Sequence, residues 1–173
     1  MKIALVGENV LKTSAVSVAP SEMLTEEFSE FVESLKQTML DANGIGIAAP
    51  QVFDPRAIMI IASRKNPRYP EAPDMLPLVM INPTIIATSD NQVSGWEGCL
   101  SVPGLRGNIK RHEWIEVEFS DLAGEKIKRL FDGFLARIFQ HEFDHLIGKT
   151  WLDHIESTED IMAEALWLER LAT

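Results

Sequence analysis

The stretch Gln140-His141-Glu142-Phe143-Asp144-His145-Leu146-Ile147-Gly148 decides how the rest of the chain is read. It contains the pattern H-E-x-x-H. On a helix, residues four apart lie roughly 40° apart around the axis, so His141 and His145 project from one face. Two neutral imidazoles so placed suit a divalent transition metal. Glu142 stands roughly 100° round from His141, where a carboxylate flanks the metal and can take a proton from water. The pattern points to metal-assisted hydrolysis. The bland alternative is a solvated helix face that happens to carry two histidines, and the flanking residues argue against it. Leu135, Ile138, Phe139 and Leu146 share the histidines' inward-facing surface. Asp132 stands where an N-cap is wanted ahead of Gly133, and Gly148 where a left-handed cap ends a helix.

The 173 residues include 46% hydrophobic side chains and carry a net charge of −10. That length and composition fit one domain, residues 1–173, with a sizeable core. The charge argues against a nucleic-acid groove or an anionic membrane surface as the main partner. No apolar run is long enough to span a bilayer, and Ile3-Ala4-Leu5-Val6 is too short for a signal-peptide core. The one cysteine, Cys99, fits a reducing cytosol, so the expected location is cytoplasmic.

Upstream of the motif the chain opens with an irregular or strand-like arm over residues 1–20. A helix is expected from Ser21, capped by Ser21 or Thr25, with Leu24, Phe28, Phe31, Val32, Leu35 and Met39 as its buried stripe. Asn43-Gly44 ends it. Gly44-Ile45-Gly46-Ile47-Ala48-Ala49-Pro50-Gln51-Val52 follows, an apolar segment whose glycines suit close approach by another backbone. It lacks the G-K-[ST] of a phosphate loop. Ala57–Ala62, Leu78–Ile81 and Thr84–Thr88 read as three strands, separated in part by a proline-rich surface loop over Asn66–Pro77. Trp114–Phe119 and Glu125–Leu130 form a hairpin about Asp121-Leu122-Ala123-Gly124. After the motif a last helix is expected over about Ser157–Leu171, with Ile161, Ala165 and Leu168 as its stripe. His112 and His154 read as surface or satisfied histidines.

A catalytic metal site wants three protein ligands and one open position. A third histidine in the H-E-x-x-H-x-x-G-x-x-H arrangement is absent, because that position is Trp151. Glu164, downstream on the expected last helix, fits the spacing of a zinc endopeptidase. Cys99, in Gly95-Trp96-Glu97-Gly98-Cys99-Leu100-Ser101-Val102-Pro103-Gly104, is the other candidate; alone, it would read as a small buried hydrophobe. A thiolate favours a borderline or soft metal such as Fe(II), Zn(II) or Ni(II). Spacing leaves Cys99 and Glu164 both open.

Three segments together resemble the peptide deformylase family: Gly44–Val52, Glu97-Gly98-Cys99-Leu100-Ser101-Val102-Pro103 and Gln140–Gly148. They occur in the family's order with similar intervals, and the resemblance covers residues 5–154. It implies an α+β fold with mostly antiparallel strands around a central H-E-x-x-H helix, which agrees with the elements above. It implies that Cys99, His141 and His145 bind one divalent ion, Fe(II) foremost, with Zn(II) or Ni(II) as substitutes. Glu142 would be the general acid/base, and the Gln51 amide and Leu100 backbone N–H the oxyanion donors. Gly46 would pair with an extended peptide, while Ile45, Phe134, Arg137 and Ile138 would lie near a pocket for a methionine side chain. Arg137 is unusual in such a pocket; its stem would line the wall while its charge stays in water. Glu97 and Arg111 would form an ion pair bracing the cysteine turn.

The implied reaction is removal of the formyl group from formylmethionyl peptides, with the ribosome and its nascent chain as implied partners. Rival readings are an endopeptidase using Glu164, a non-catalytic binder of formylated N-termini, and a hydrolase with Cys99 as nucleophile. The segment after His154 is outside the motifs and acidic, with Glu156, Glu159, Asp160, Glu164 and Glu169, a poor surface for RNA. Ile161, Trp167 and Leu168 are expected to pack on the core or on a second subunit.

Overall fold

A computed structural model of the chain describes residues 1–172. Its strands are β1 (Gly46–Ala48), β2 (Ile58–Ser63), β3 (Met75–Thr88), β4 (Gln92–Cys99), β5 (Val102–His112), β6 (Trp114–Ser120), β7 (Lys126–Asp132) and β8 (Ile161–Ala163). The helices are α1 (Glu26–Asp41), α2 (Gly133–Leu146) and α3 (Glu164–Leu171). Every strand pairing is antiparallel. One sheet runs β1-β2-β3-β6-β7 and the other β4-β5-β8, giving the expected α+β fold.

The five-stranded sheet is covered on both faces. Ile58, Ile60 and Ile81 pack with Phe28, Val32, Leu35 and Met39 of α1. Met59, Ile61 and Met80 pack with Ala136, Ile138, Phe139 and Leu146 of α2. This is why β2 is an unbroken apolar run and not an alternating one. The motif helix is thereby held between the large sheet and the smaller one. Asp132 occupies its N-cap position in extended conformation, but the carboxylate makes no capping bond. The Gly133 N–H instead donates to the Glu113 carbonyl at 2.8 Å. At the other end Gly148 has φ 72° and lies against the Lys12 backbone, so the expected left-handed cap is present.

Four expectations need correction. The first helix starts later than Ser21, at Glu26, because the Thr25 hydroxyl accepts the Phe28 N–H at 3.2 Å. Leu24 falls in the preceding 3-10 turn and is 85% exposed, so it does not join the buried stripe. Leu78–Ile81 and Thr84–Thr88 are not two strands but parts of β3, which also takes in Met75–Pro77 from the proline-rich segment. Its register shifts between Ile81 and Thr84, where Asn82 adopts φ 50° and Pro83 is tolerated at the irregularity. Finally, the last helix is short. Residues 158–160 form a 3-10 turn, and Ile161 enters β8 by pairing with Gly107. Ala165 and Leu168 are exposed, and Trp167 is the residue of α3 that is buried.

Candidate metal centre and cleft

The β4–β5 hairpin turns tightly at Leu100-Ser101, with Cys99 paired to Val102, and this presents Cys99 to α2. The Cys99, His141 and His145 donor atoms all lie within 4.8 Å of one another. Cys99 Sγ is 3.3 Å from His145 Nε2. A tetrahedral ion holding sulfur at about 2.3 Å and nitrogen at about 2.0 Å sets those ligands roughly 3.5 Å apart, so the donors fit one ion. Two further buried atoms, His145 Nδ1 and Glu142 Oε2, have no hydrogen-bond partner among the described residues. The unpaired Glu142 oxygen beside three metal donors is what a proton-accepting carboxylate requires. The Glu164 carboxylate is elsewhere: its Oε1 accepts from Arg106 at 2.7 Å, so the zinc-endopeptidase ligand set is not assembled.

Electrostatics favour the same donor set. Burial opposes the Cys99 thiolate, but the His145 and His141 rings outweigh it and hold the thiol well below its ordinary value. For Glu142 burial dominates, and although both histidines oppose it, the carboxyl is pushed up to about 7. His141 is fixed by Glu97: its Nδ1 lies 2.9 Å from Glu97 Oε2, which leaves the other ring nitrogen for the ion.

Glu97 is itself saturated. It accepts from Arg111 Nε and Nη2 at 2.9 Å each, a bidentate pair, and from Arg137 Nη1 at 2.9 Å. Burial works against this carboxylate, yet the His141 and Arg111 hydrogen bonds hold it well below the usual carboxylate range. Arg111 Nη1 also donates to Asp144 at 2.7 Å, and His154 Nε2 lies 2.8 Å from the same oxygen. His154 is therefore a satisfied histidine, as is His112, whose Nδ1 lies 2.6 Å from the Ser89 carbonyl. Arg137 departs from expectation. Its charge is not in water but bonded to Glu97 and to the Val93, Gly95 and Ile109 carbonyls. Gly95 makes room for it, since a Cβ there would lie 2.8 Å from the guanidinium carbon.

A cavity of about 260 Å³ opens over these groups, and Ile45, Gly46, Gln51, Leu100, Phe134, Arg137 and Ile138 all line it. The 3-10 turn Ala49–Val52 carries Gln51. Gln51 Oε1 accepts the Ala48 N–H at 2.8 Å, which turns the amide nitrogen toward Ser101 Oγ at 3.1 Å and Cys99 Sγ at 3.6 Å. Gly46 abuts Glu142 so closely that any Cβ would overlap the carboxylate. Tyr69 and Arg106 also line the cavity. Nothing local in the sequence marks them, because Tyr69 sits in a proline-rich loop and Arg106 in the middle of a strand.

A thiolate and two imidazoles beside an unpaired glutamate, on an α+β scaffold, define a metal-dependent hydrolase. The polypeptide deformylase family profile matches residues 1–160. Peptide deformylase 2 of Nostoc sp. is 50% identical over 140 residues, 81% of this chain and 78% of the relative. Peptide deformylase 2 of Shewanella oneidensis is 46% identical over 165 residues, 95% of this chain and 90% of the relative. The class I type b peptide deformylase from Acinetobacter baumannii, solved with Met-Ala-Ser bound, is 44% identical with a TM-score of 0.87. The match covers 88% of this chain and 96% of that one. The chain belongs to the polypeptide deformylase family.

Proposed function

We infer that this chain removes the N-formyl group from the formylmethionine of nascent polypeptides, releasing formate and a free amino terminus. The observation that carries the reading is the meeting of Cys99, His141 and His145 within 4.8 Å. Beside them lies the unpaired Glu142 oxygen. Those three residues hold one divalent ion, Fe(II) in the cell, and Zn(II) or Ni(II) are replacements the donor set tolerates. When bound, the ion makes water acidic enough to attack near neutral pH and polarises the formyl carbonyl.

Glu142 takes the proton of the attacking water, whose oxygen bonds to the formyl carbon. Negative charge moves to the formyl oxygen, where the Gln51 amide and the Leu100 backbone N–H donate to it. Ala48 keeps the Gln51 amide in the donating orientation through its N–H to Oε1. The C–N bond then breaks, Glu142 returns the proton to the departing amine, and formate leaves. Gly46 gives the peptide a backbone partner, and Ile45, Phe134 and Ile138 meet the methionine side chain. Arg137 acts from behind that pocket, as a brace on Glu97, and the Glu97–Arg111 pair holds the cysteine turn. Residues 1–173 act as one deformylase domain, working in the cytoplasm on chains emerging from the ribosome. Among the described residues no helix is long and apolar enough to cross a membrane.

The test is formate release from a formyl-Met peptide by anaerobically prepared, Fe(II)-loaded protein, with the acetyl analogue alongside. Formyl-selective release is expected, lowered roughly 10²- to 10⁴-fold in Glu142→Gln with metal content retained. Release by the Gln variant at the wild-type rate would remove Glu142 from the chemistry.

A further inference from the structure

Arg106 is 1% exposed, and its charge is met at both Nη atoms on the cavity side of β5, while its buried Nε has no hydrogen-bond partner among the described residues. Nη2 donates to Glu164 at 2.7 Å and Nη1 to the Tyr69 hydroxyl at 2.7 Å. The guanidinium lies 4.2 Å from the centre of the Trp167 ring. Tyr69 in turn packs on Phe134, with ring centroids 4.8 Å apart. A continuous chain of contacts thus runs from α3 through Arg106 and Tyr69 to Phe134, a wall of the cleft. Gly98 is part of it, because a Cβ there would lie 2.8 Å from the guanidinium carbon. Glu164 and Trp167 lie beyond residue 160, where the family match ends.

We propose that the C-terminal segment, through Glu164 and Trp167, positions the Arg106–Tyr69–Phe134 wall and so sets selectivity for the side chain of the first substrate residue. This rests on the deformylase reading. Glu164 and Trp167 are positioning residues: Glu164 acts through Arg106, and Trp167 acts through Arg106 and through its own ring contact with Tyr69, centroids 6.2 Å apart. A cation stacked on an indole and paired with a carboxylate has one preferred place, and Tyr69 inherits it through its hydroxyl. Freed from these partners, the guanidinium and the phenol lose their shared geometry. Phe134 then meets methionine and smaller side chains with less discrimination, because a loosely held wall loses pocket complementarity.

The test compares kcat/KM of the Fe(II) holoenzyme for formyl-Met-Ala-Ser and formyl-Ala-Ala-Ser in the wild type, Trp167→Leu and Glu164→Gln. The Met-over-Ala ratio is expected to fall roughly three- to tenfold in both variants, mainly through KM for the Met peptide. Trp167→Phe, which keeps an aromatic face, restores most of the ratio. Because both contacts of Trp167 reach Phe134 through Tyr69, Trp167→Leu adds little further loss to Tyr69→Leu, which removes the hydroxyl and the ring alike. An unchanged ratio in both variants overturns the proposal, and so does full additivity of the Tyr69 and Trp167 changes. So does a loss confined to kcat and metal content. Calorimetric binding of Met-Ala-Ser and Ala-Ala-Ser separates the two readings. Wild-type protein that releases no formate refutes deformylation, while a shift in that binding ratio in Trp167→Leu still supports the positioning role.

Discussion

At the scale of single residues, the site depends on what is missing as much as on what is present. Gly46 is the clearest case, since a methyl group there would displace the Glu142 carboxylate. Gly46→Ala should therefore retain its fold and its metal but lose activity, with kcat falling roughly 10²-fold or more. Rate measurements beside metal analysis check this, and full activity would show that Glu142 can work from a shifted position. Cys99→Ser probes the opposite case, a ligand removed. A hydroxyl is far harder to ionise than the thiol, which His145 and His141 hold well below its ordinary value. The variant should lose most of its bound metal at equilibrium dialysis, and most of its activity with it. His141, His145 and Glu142 were legible as candidates because they share one helical turn, whereas spacing left Cys99 level with Glu164 and only the family resemblance separated them. The fate of Arg137 was not, because its partner Glu97 lies 40 residues earlier and its other acceptors are backbone carbonyls of two different strands. A guanidinium at a pocket position reads as a charge seeking water until those acceptors are seen. Glu164 was misleading for the same reason: its spacing suited a ligand, but the buried Arg106 claims it.

Elements were legible where periodicity and punctuation agree, as in α2, the β6–β7 hairpin and the body of α1. They were not where a distant segment supplies the missing bonds. β8 exists because β5 offers an open edge from Leu105 to Gly107, and without that edge Ile161 reads as the start of a helical stripe. β3 continues through Pro83 because Asn82 turns into the left-handed region and bonds to the N-terminal arm. The Asn82 amide oxygen accepts the Val18 N–H at 2.8 Å, and its nitrogen donates to the Val18 carbonyl at 2.9 Å. Neither bond can be inferred from the residues around Asn82. Asn82→Ala removes both and places alanine at φ 50°. It is expected to destabilise the fold by about 2–4 kcal/mol, counting two lost hydrogen bonds and the left-handed strain. Denaturant melts should report this, while kcat of the surviving folded enzyme stays near wild type because Asn82 is outside the cleft. A loss of kcat at full stability would show that the bulge steers the site.

For the whole molecule, the question is whether the ion holds the fold or only completes the site. Its proposed ligands join β4 of the small sheet to α2, which packs on the large one. That junction has a second tie, since Arg111 of β5 bonds both Glu97 and Asp144. The two large apolar clusters are built from the five-stranded sheet, α1 and α2, and contain none of the three ligands. Removing the ion therefore leaves the main cores intact and withdraws only binding energy. At a hundredfold excess of free ion over Kd that energy is about 2.7 kcal/mol. For a chain of this size it corresponds to a Tm loss of roughly 5–11 °C. Anaerobic chelation should thus give a folded apo-protein with a lowered Tm. Amide exchange should quicken around Cys99 and the β4–β5 turn while β2 and β3 stay protected. Complete unfolding on chelation would contradict this, and would mean that Arg111 and its two carboxylates cannot hold the sheets together without the ion. Uniform exchange across both sheets would carry the same meaning, because the small sheet would then not open separately from the large one.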